Sequence, residues 1–190
     1  ENYSRLLVML LRNYHGFSDL PVPEPPLKHP DYAIYHPDLG YFEDRDDYLK
    51  AVGYTADRPA IGIMFHGGMH LEQNITTVRG FLRTLSDCTI IPIYANPENN
   101  LRSMEKYFID GDRPIVDAII NLKWFRINGG PLGGNPELTQ VLLKKLNVPV
   151  FAPVSLFGQD VDEWEESVAG ISPFASIMSV IWPELDGCIE

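Results

Sequence analysis

Apolar and polar positions follow two different rhythms along this chain. Over Asn2 to Tyr14, Leu6, Leu7, Leu10 and Leu11 share one side of a 3.6-residue period, and Gly16 follows. This predicts a short amphipathic helix with a glycine stop. Prolines at 21, 23, 25, 26, 30, 37 and 59 then interrupt any long regular element, apart from a short helix expected near Asp46 to Val52. Residues 1–59 therefore read as an N-terminal helix and Pro-rich arm, and residues 60–190 as a regular domain.

From Ala60 onward, strand and helix patterns alternate. Ile61-Gly62-Ile63-Met64-Phe65 is an unbroken apolar run, as expected of a strand buried on both faces. Ile75, Val78, Phe81, Leu82 and Leu85 recur at helical spacing. Thr89 to Tyr94 predicts a second strand, and Leu101, Met104, Tyr107 and Phe108 a second helix. Ile115 to Leu122 predicts a third strand. Leu138, Val141, Leu142 and Leu146 mark a third helix, with Asn135 as cap, Pro136 at its first position and Lys144 and Lys145 in its last turn. Val148 to Val154 is the fourth strand. Asp160 and Glu163 suit a capping box that opens a fourth helix ending at Gly170. Ser176 to Trp182 is the fifth strand.

Five strands alternating with four helices predict an α/β, doubly wound parallel sheet. Pro92 lies inside the second strand, and proline is tolerated mainly at sheet edges. The second strand is an edge in the flavodoxin-like order 2-1-3-4-5, so that order is expected.

Composition narrows the function. With 190 residues, 45% hydrophobic and 22% charged, the chain is an ordinary globular sequence. Its formal net charge of −11 argues against nucleic acid or an anionic membrane as partner. No apolar run approaches the roughly 18 residues of a membrane span. Two cysteines, Cys88 and Cys188, form no metal spacing or disulfide framework, so a reducing, cytoplasmic setting is expected. The start at Glu1 suggests an internal piece of something longer.

Ligands in such sheets bind beyond the carboxyl ends of the strands, at the switch point. His66-Gly67-Gly68-Met69-His70, leading to Asn74, follows the first strand; Lys123 to Gly134 follows the third; Pro183-Glu184-Leu185-Asp186-Gly187 follows the fifth. Lys123 and Arg126 are the cations of the second of these loops and suit substrate carboxylates. Turn geometry alone explains Gly129 to Gly134, which has neither a Walker A nor a dinucleotide spacing. His66 and His70 are separated by two glycines and so form no helical zinc pair. Glu184 and Asp186 also suit a solvated turn before Gly187. Trp164 and Trp182 read as core.

Several stretches together resemble a known family. They are Glu1 to Leu11, Tyr35 to Asp38, Arg58 to His70, Asp117 to Phe125, Leu146 to Val154, Asp162 to Pro173 and Pro183 to Gly187. In this order they are similar to the large, tetrapyrrole-binding subunits of the class I chelatases, the cobaltochelatase and magnesium-chelatase large subunits. The resemblance spans essentially the whole chain. It implies ATP-dependent insertion of cobalt or magnesium into a macrocycle, as in cobalamin or chlorophyll biosynthesis. It also implies AAA+ partner subunits that hydrolyse the ATP. The metal is then a substrate, and ATP is not bound by this chain.

Metal insertion displaces two pyrrole protons, so it needs a base and weak delivering ligands. On the resemblance, His70 is the candidate metal-delivering ligand and Glu184 the candidate proton acceptor or metal relay. Lys123 and Arg126 would hold macrocycle carboxylates, with Asn74 and Asp186 supporting them. His66 is assigned no role. A different class of reading is a non-catalytic ligand-binding or partner-docking domain, since such sheets carry many functions. An FMN-binding flavodoxin ranks last, because His66 to His70 supplies no hydroxyl-rich phosphate loop.

Overall fold

The computed structural model describes residues 2–67, 71–124, 126–128, 134–156 and 158–189, with backbone alone for 71–73. Two compact units divide it, Glu1–Pro30 and Asp31–Glu190.

The first unit holds α1 (Asn2–Tyr14), and none of its side chains is buried. Polar side chains on α1 clamp the proline-rich segment that follows. The Asn2 amide donates to the Leu27 carbonyl at 3.0 Å while its oxygen accepts the Leu27 N–H at 2.7 Å. Arg5 donates to the Pro25 carbonyl and pairs with Glu24 at 2.9 Å. Proline removes backbone donors, so side-chain bonds take over the role that a ladder would play.

The second unit opens with β1 (Tyr32–His36), β2 (Gly40–Phe42) and α2 (Arg45–Ala51). Then come β3 (Ala60–His66), α3 (Leu71–Thr84), β4 (Thr89–Ala95) and α4 (Asn100–Phe108). A small ribbon of β5 (Ile109–Asp110) and β6 (Arg113–Pro114) precedes β7 (Ala118–Asn121), α5 (Pro136–Leu146) and β8 (Val150–Phe151). The chain finishes with α6 (Val161–Glu166), α7 (Pro173–Ser176), a π-helical turn (Ile177–Ile181) and α8 (Trp182–Asp186). No helix among the described residues is long and apolar enough to cross a membrane.

The main sheet has six strands in the order β2-β1-β4-β3-β7-β8. Its four parallel strands lie second-first-third-fourth, the order expected for them from sequence. Two expectations fail. The Pro92 strand is not an edge, because β1 pairs antiparallel with it, placing Tyr32 opposite Ala95 and Ile34 opposite Ile93. That ladder stops one residue short of Pro92. A missing N–H limits the length of the neighbouring strand without forbidding it. Further along, the buried Tyr48 hydroxyl of α2 donates to the Ile90 carbonyl at 2.6 Å, satisfying a strand acceptor that β1 does not reach. The sheet unit thus takes in residues that the proline pattern assigns to the arm: five residues between Pro30 and Pro37 suffice for a strand.

The expected fifth strand, 176–182, is helical. Ser172 caps the helix, accepting the Ala175 N–H at 3.1 Å, and Pro173 occupies the first turn. Short apolar runs fit either element, and here the cap decides. The position beside β8 is taken instead by Ile189, which bridges Phe151 in parallel. Its N–H donates to the Val150 carbonyl and its carbonyl accepts from Ala152, both at 2.7 Å. Gly187, at φ +94°, turns the chain from α8 toward this bridge. The Asp160–Glu163 capping box forms as expected, but α6 ends at Glu166 rather than at Gly170.

The core follows the period-two alternation of the strands. Met64, Ile91 and Ile93 face a cluster with Met104, Tyr107, Phe108, Leu142 and Leu146 of α4 and α5. Ile63, Phe65 and Tyr94 point to the opposite face and meet Val78 of α3. Gly62 is required on the first face, since a Cβ there would lie 2.5 Å from the Phe108 ring. The Gly62→Ala variant is expected to lose about 1–3 kcal/mol of stability, the usual cost of overpacking. Urea unfolding of the single variant beside Gly62→Ala/Phe108→Leu checks this. The smaller partner side chain is expected to recover part of the loss.

Candidate functional site

The crevice side of the sheet is marked by the last residues of β3, β4 and β7: His66, Ala95 and Asn121. At the end of β3, the His66 ring is 8% exposed and sits 5.5 Å from Trp124. Asn74 of α3 donates to the His66 carbonyl at 2.9 Å, fastening the helix to the strand end. Gly67 follows because nothing larger fits: a Cβ there would lie 1.3 Å from the Tyr94 ring.

The loop after β7 carries the main polar construction. Lys123 is 2% exposed and donates to the Ala95 carbonyl at 2.6 Å and to the Asn100 side-chain oxygen. Asn100, buried at the start of α4, donates in turn to the Ile127 carbonyl at 2.7 Å. The Ile127 N–H donates to Asp186 at 2.8 Å, and Arg126 reaches the other Asp186 oxygen at 3.2 Å. Two strand ends and two helices are thereby joined through one hydrogen-bonded path. The Asn121 side-chain oxygen accepts the Lys123 N–H at 3.1 Å and tightens the turn out of β7.

Burial sets the titration of this path. It lowers the Lys123 amine to about 7, against a smaller opposing pull from Glu98. A neutral amine has two N–H donors, and Lys123 has two acceptors. Burial raises the Asp186 carboxyl, opposed by the Ile127 N–H and by Arg126. Asp186 is a buried acid whose partners only partly offset its burial, held in place rather than presented to solvent.

The residues singled out from sequence therefore separate. Arg126 and Asp186 pair directly, and Lys123 joins them through Asn100 and Ile127. The Lys123 amine is committed inside the fold and does not face the crevice. Asn74 acts on the backbone of β3. Glu184 sits in the first turn of α8 and is exposed, not in a loop after a strand. It borders a cavity of about 510 Å³ with Gln140, Lys144, Asn147 and Pro149. His70, the residues 129–133 and Phe125 lie outside the described residues. Among the described residues, no group of three or more His, Cys, Asp or Glu side chains is arranged to hold a metal ion. Sequence reasoning missed Asn100 and Ile127. The available signal was a polar side chain opening a helix of otherwise apolar inner face, which is weak.

Comparison with known proteins agrees on one family. The sequence model of the CobN/magnesium chelatase family matches residues 1–190. An uncharacterized protein of Methanocaldococcus jannaschii is 32% identical over 205 residues, covering 99% of this chain and 16% of its own length. The chloroplastic magnesium-chelatase subunit ChlH of Oryza sativa subsp. indica is 32% identical over 174 residues, covering 84% of this chain and 12% of its own. Among solved structures, the catalytic subunit of cobaltochelatase from Mycobacterium tuberculosis matches with TM-score 0.59 and 18% identity, over 97% of this chain and 15% of that one. This chain thus spans only 12–16% of the length of these proteins.

The depressed lysine makes a pH prediction. Between about 7 and its unfolded value of about 10.4, the unfolded chain binds a proton at Lys123 that the folded chain does not. Stability should therefore rise with pH, by at most about 1.4 kcal/mol per unit. Cys188, raised to about 12 by burial, works in the opposite sense above its ordinary value of about 8.5. The clean window is about pH 7 to 8.5. Urea unfolding across it should show the rise, and Lys123→Met should flatten it whatever its overall stability.

Proposed function

The chain belongs to the CobN/magnesium chelatase family, and from that premise we propose that the longer protein inserts cobalt or magnesium into a tetrapyrrole. The family match along the whole chain, 1–190, carries this reading. ATP is hydrolysed by separate AAA+ partner subunits, in keeping with a sequence that has no Walker A spacing.

Insertion forms metal–nitrogen bonds and releases two pyrrole protons. The protein's tasks are to hold the macrocycle, bring the ion on weak oxygen or nitrogen ligands, and take up the protons. Glu184 is assigned the last task on the resemblance: its carboxylate is exposed and makes no ion pair among the described residues, beside a cavity lined by Asn147 and Pro149 at the entry to β8. His70 is proposed as the delivering ligand on sequence grounds. Arg126 and Asp186 are better suited to shaping the 126–128 segment than to reacting, since each already occupies the other. Lys123 acts as a positioning residue: its amine holds β4, α4 and the following loop in register.

Glu184→Gln keeps size and removes the base. In the full-length protein with its ATPase partners, tetrapyrrole binding should persist while the insertion rate falls about a hundredfold or more. Insertion kinetics beside a thermal melt check this; an unchanged rate removes Glu184 from the mechanism and leaves it a helix-surface residue. Calorimetry on the isolated chain should show no ATP binding. A micromolar dissociation constant would place nucleotide chemistry here after all.

A further inference from the structure

We propose that the cavity between the β1–β2 turn and α3 is an oxyanion site, taking the phosphate or carboxylate group of a small ligand. The cavity measures about 460 Å³ and is lined by His36, Asp38, Thr76, Arg79, Leu82 and Arg83. It lies on the α3 side of the sheet, and the assignment does not depend on the chelatase reading.

Charge is the first argument. The chain carries 15 Lys and Arg against 26 Asp and Glu, yet this cavity gathers two arginines and one aspartate, a local balance of 2 − 1 = +1. Thr76, Arg79 and Arg83 are spaced three and four apart along α3, so they share one face of that helix. Arg83 makes no ion pair among the described residues. Two guanidinium groups one helical turn apart suit an anion with several oxygens, because each can donate a pair of parallel hydrogen bonds.

The surroundings prepare the site. Arg79 donates to the Asp38 carboxylate at 3.0 Å and to the Pro37 carbonyl at 3.3 Å, which sets its fork across the cavity. This pair is half exposed on both sides, so it is weak enough for an incoming anion to displace. The Asp38 N–H donates to His36 Nδ1 at 3.2 Å. An accepting Nδ1 means a neutral ring with its proton on Nε2, which is left as a further donor; burial, lowering the His36 pKa, favours the same neutral form. Leu82 supplies an apolar wall for the rest of a ligand. The Asp38 carboxylate already occupies Arg79 and so competes with an incoming anion.

Calorimetry of the full-length protein at low salt, with inorganic phosphate in one arm and succinate in the other, tests this. Saturable binding is expected in at least one arm. Phosphate alone would assign a phosphate ester, and succinate alone a carboxylate. Arg83→Ala and Arg79→Ala should each weaken that binding tenfold or more, and Asp38→Asn should tighten it severalfold. Arg102→Ala, an exposed arginine of α4, should leave it unchanged. Arg83 is also exposed, so its variant should keep the wild-type melting curve. The proposal is overturned if neither anion binds saturably, if Arg83→Ala leaves affinity unchanged, or if Arg102→Ala weakens binding as much as Arg83→Ala does.

Discussion

Burying one lysine amine governs how the carboxyl edge of this sheet is built. An amine taken out of water must find acceptors, and an ammonium would need still more compensation. The Ala95 carbonyl and the Asn100 side chain meet that need, so β4, α4 and the loop after β7 have to meet at one point. Asn100 and Ile127 then pass the constraint on to Asp186, sixty-three residues further along than Lys123 (186 − 123). The crevice side is therefore tied together from beneath by polar contacts.

The same helix presents two carboxylates with opposite duties. Asp186 is turned inward, 1% exposed, and accepts from a backbone N–H and a guanidinium. Glu184, two residues earlier, is exposed beside a cavity. On a helix, neighbours two apart do not share a face. The helical form separates a buried, ion-paired acid from an exposed one.

Glycines in this fold mark close approach as much as turning. Gly62 lets the Phe108 ring lie against β3, and Gly67 lets Tyr94 pack over the strand's end. Both bring helix or ring closer to the sheet than any side chain would permit, which tightens the two faces of the core. Elsewhere, Gly187 turns the chain so that Ile189 can extend the sheet beyond β8.

What the sequence determined by itself was local. Period-two and period-3.6 patterns, with caps such as Asn135-Pro136 and Asp160 with Glu163, identify β3, β4, α1, α3, α4 and α5 without any partner. The expected order of the four parallel strands rests instead on an edge position for Pro92. The β1 ladder contradicts that position, although those four strands do lie in that order; combined motifs suffice for the family. Tertiary structure decided what local pattern leaves degenerate. Residues 176–182 are apolar enough for either element, and the Ser172 cap makes them helical. Tyr32 to His36 is too short and too close to prolines to stand out, and becomes a strand because β4 offers a ladder up to Pro92 on one side and β2 pairs with it on the other. Lys123 looked like a ligand-binding cation because charge normally seeks water. Its burial depends on acceptors at Ala95 and Asn100, brought to it from another strand and another helix, and no spacing along the chain encodes such a long-range hydrogen bond.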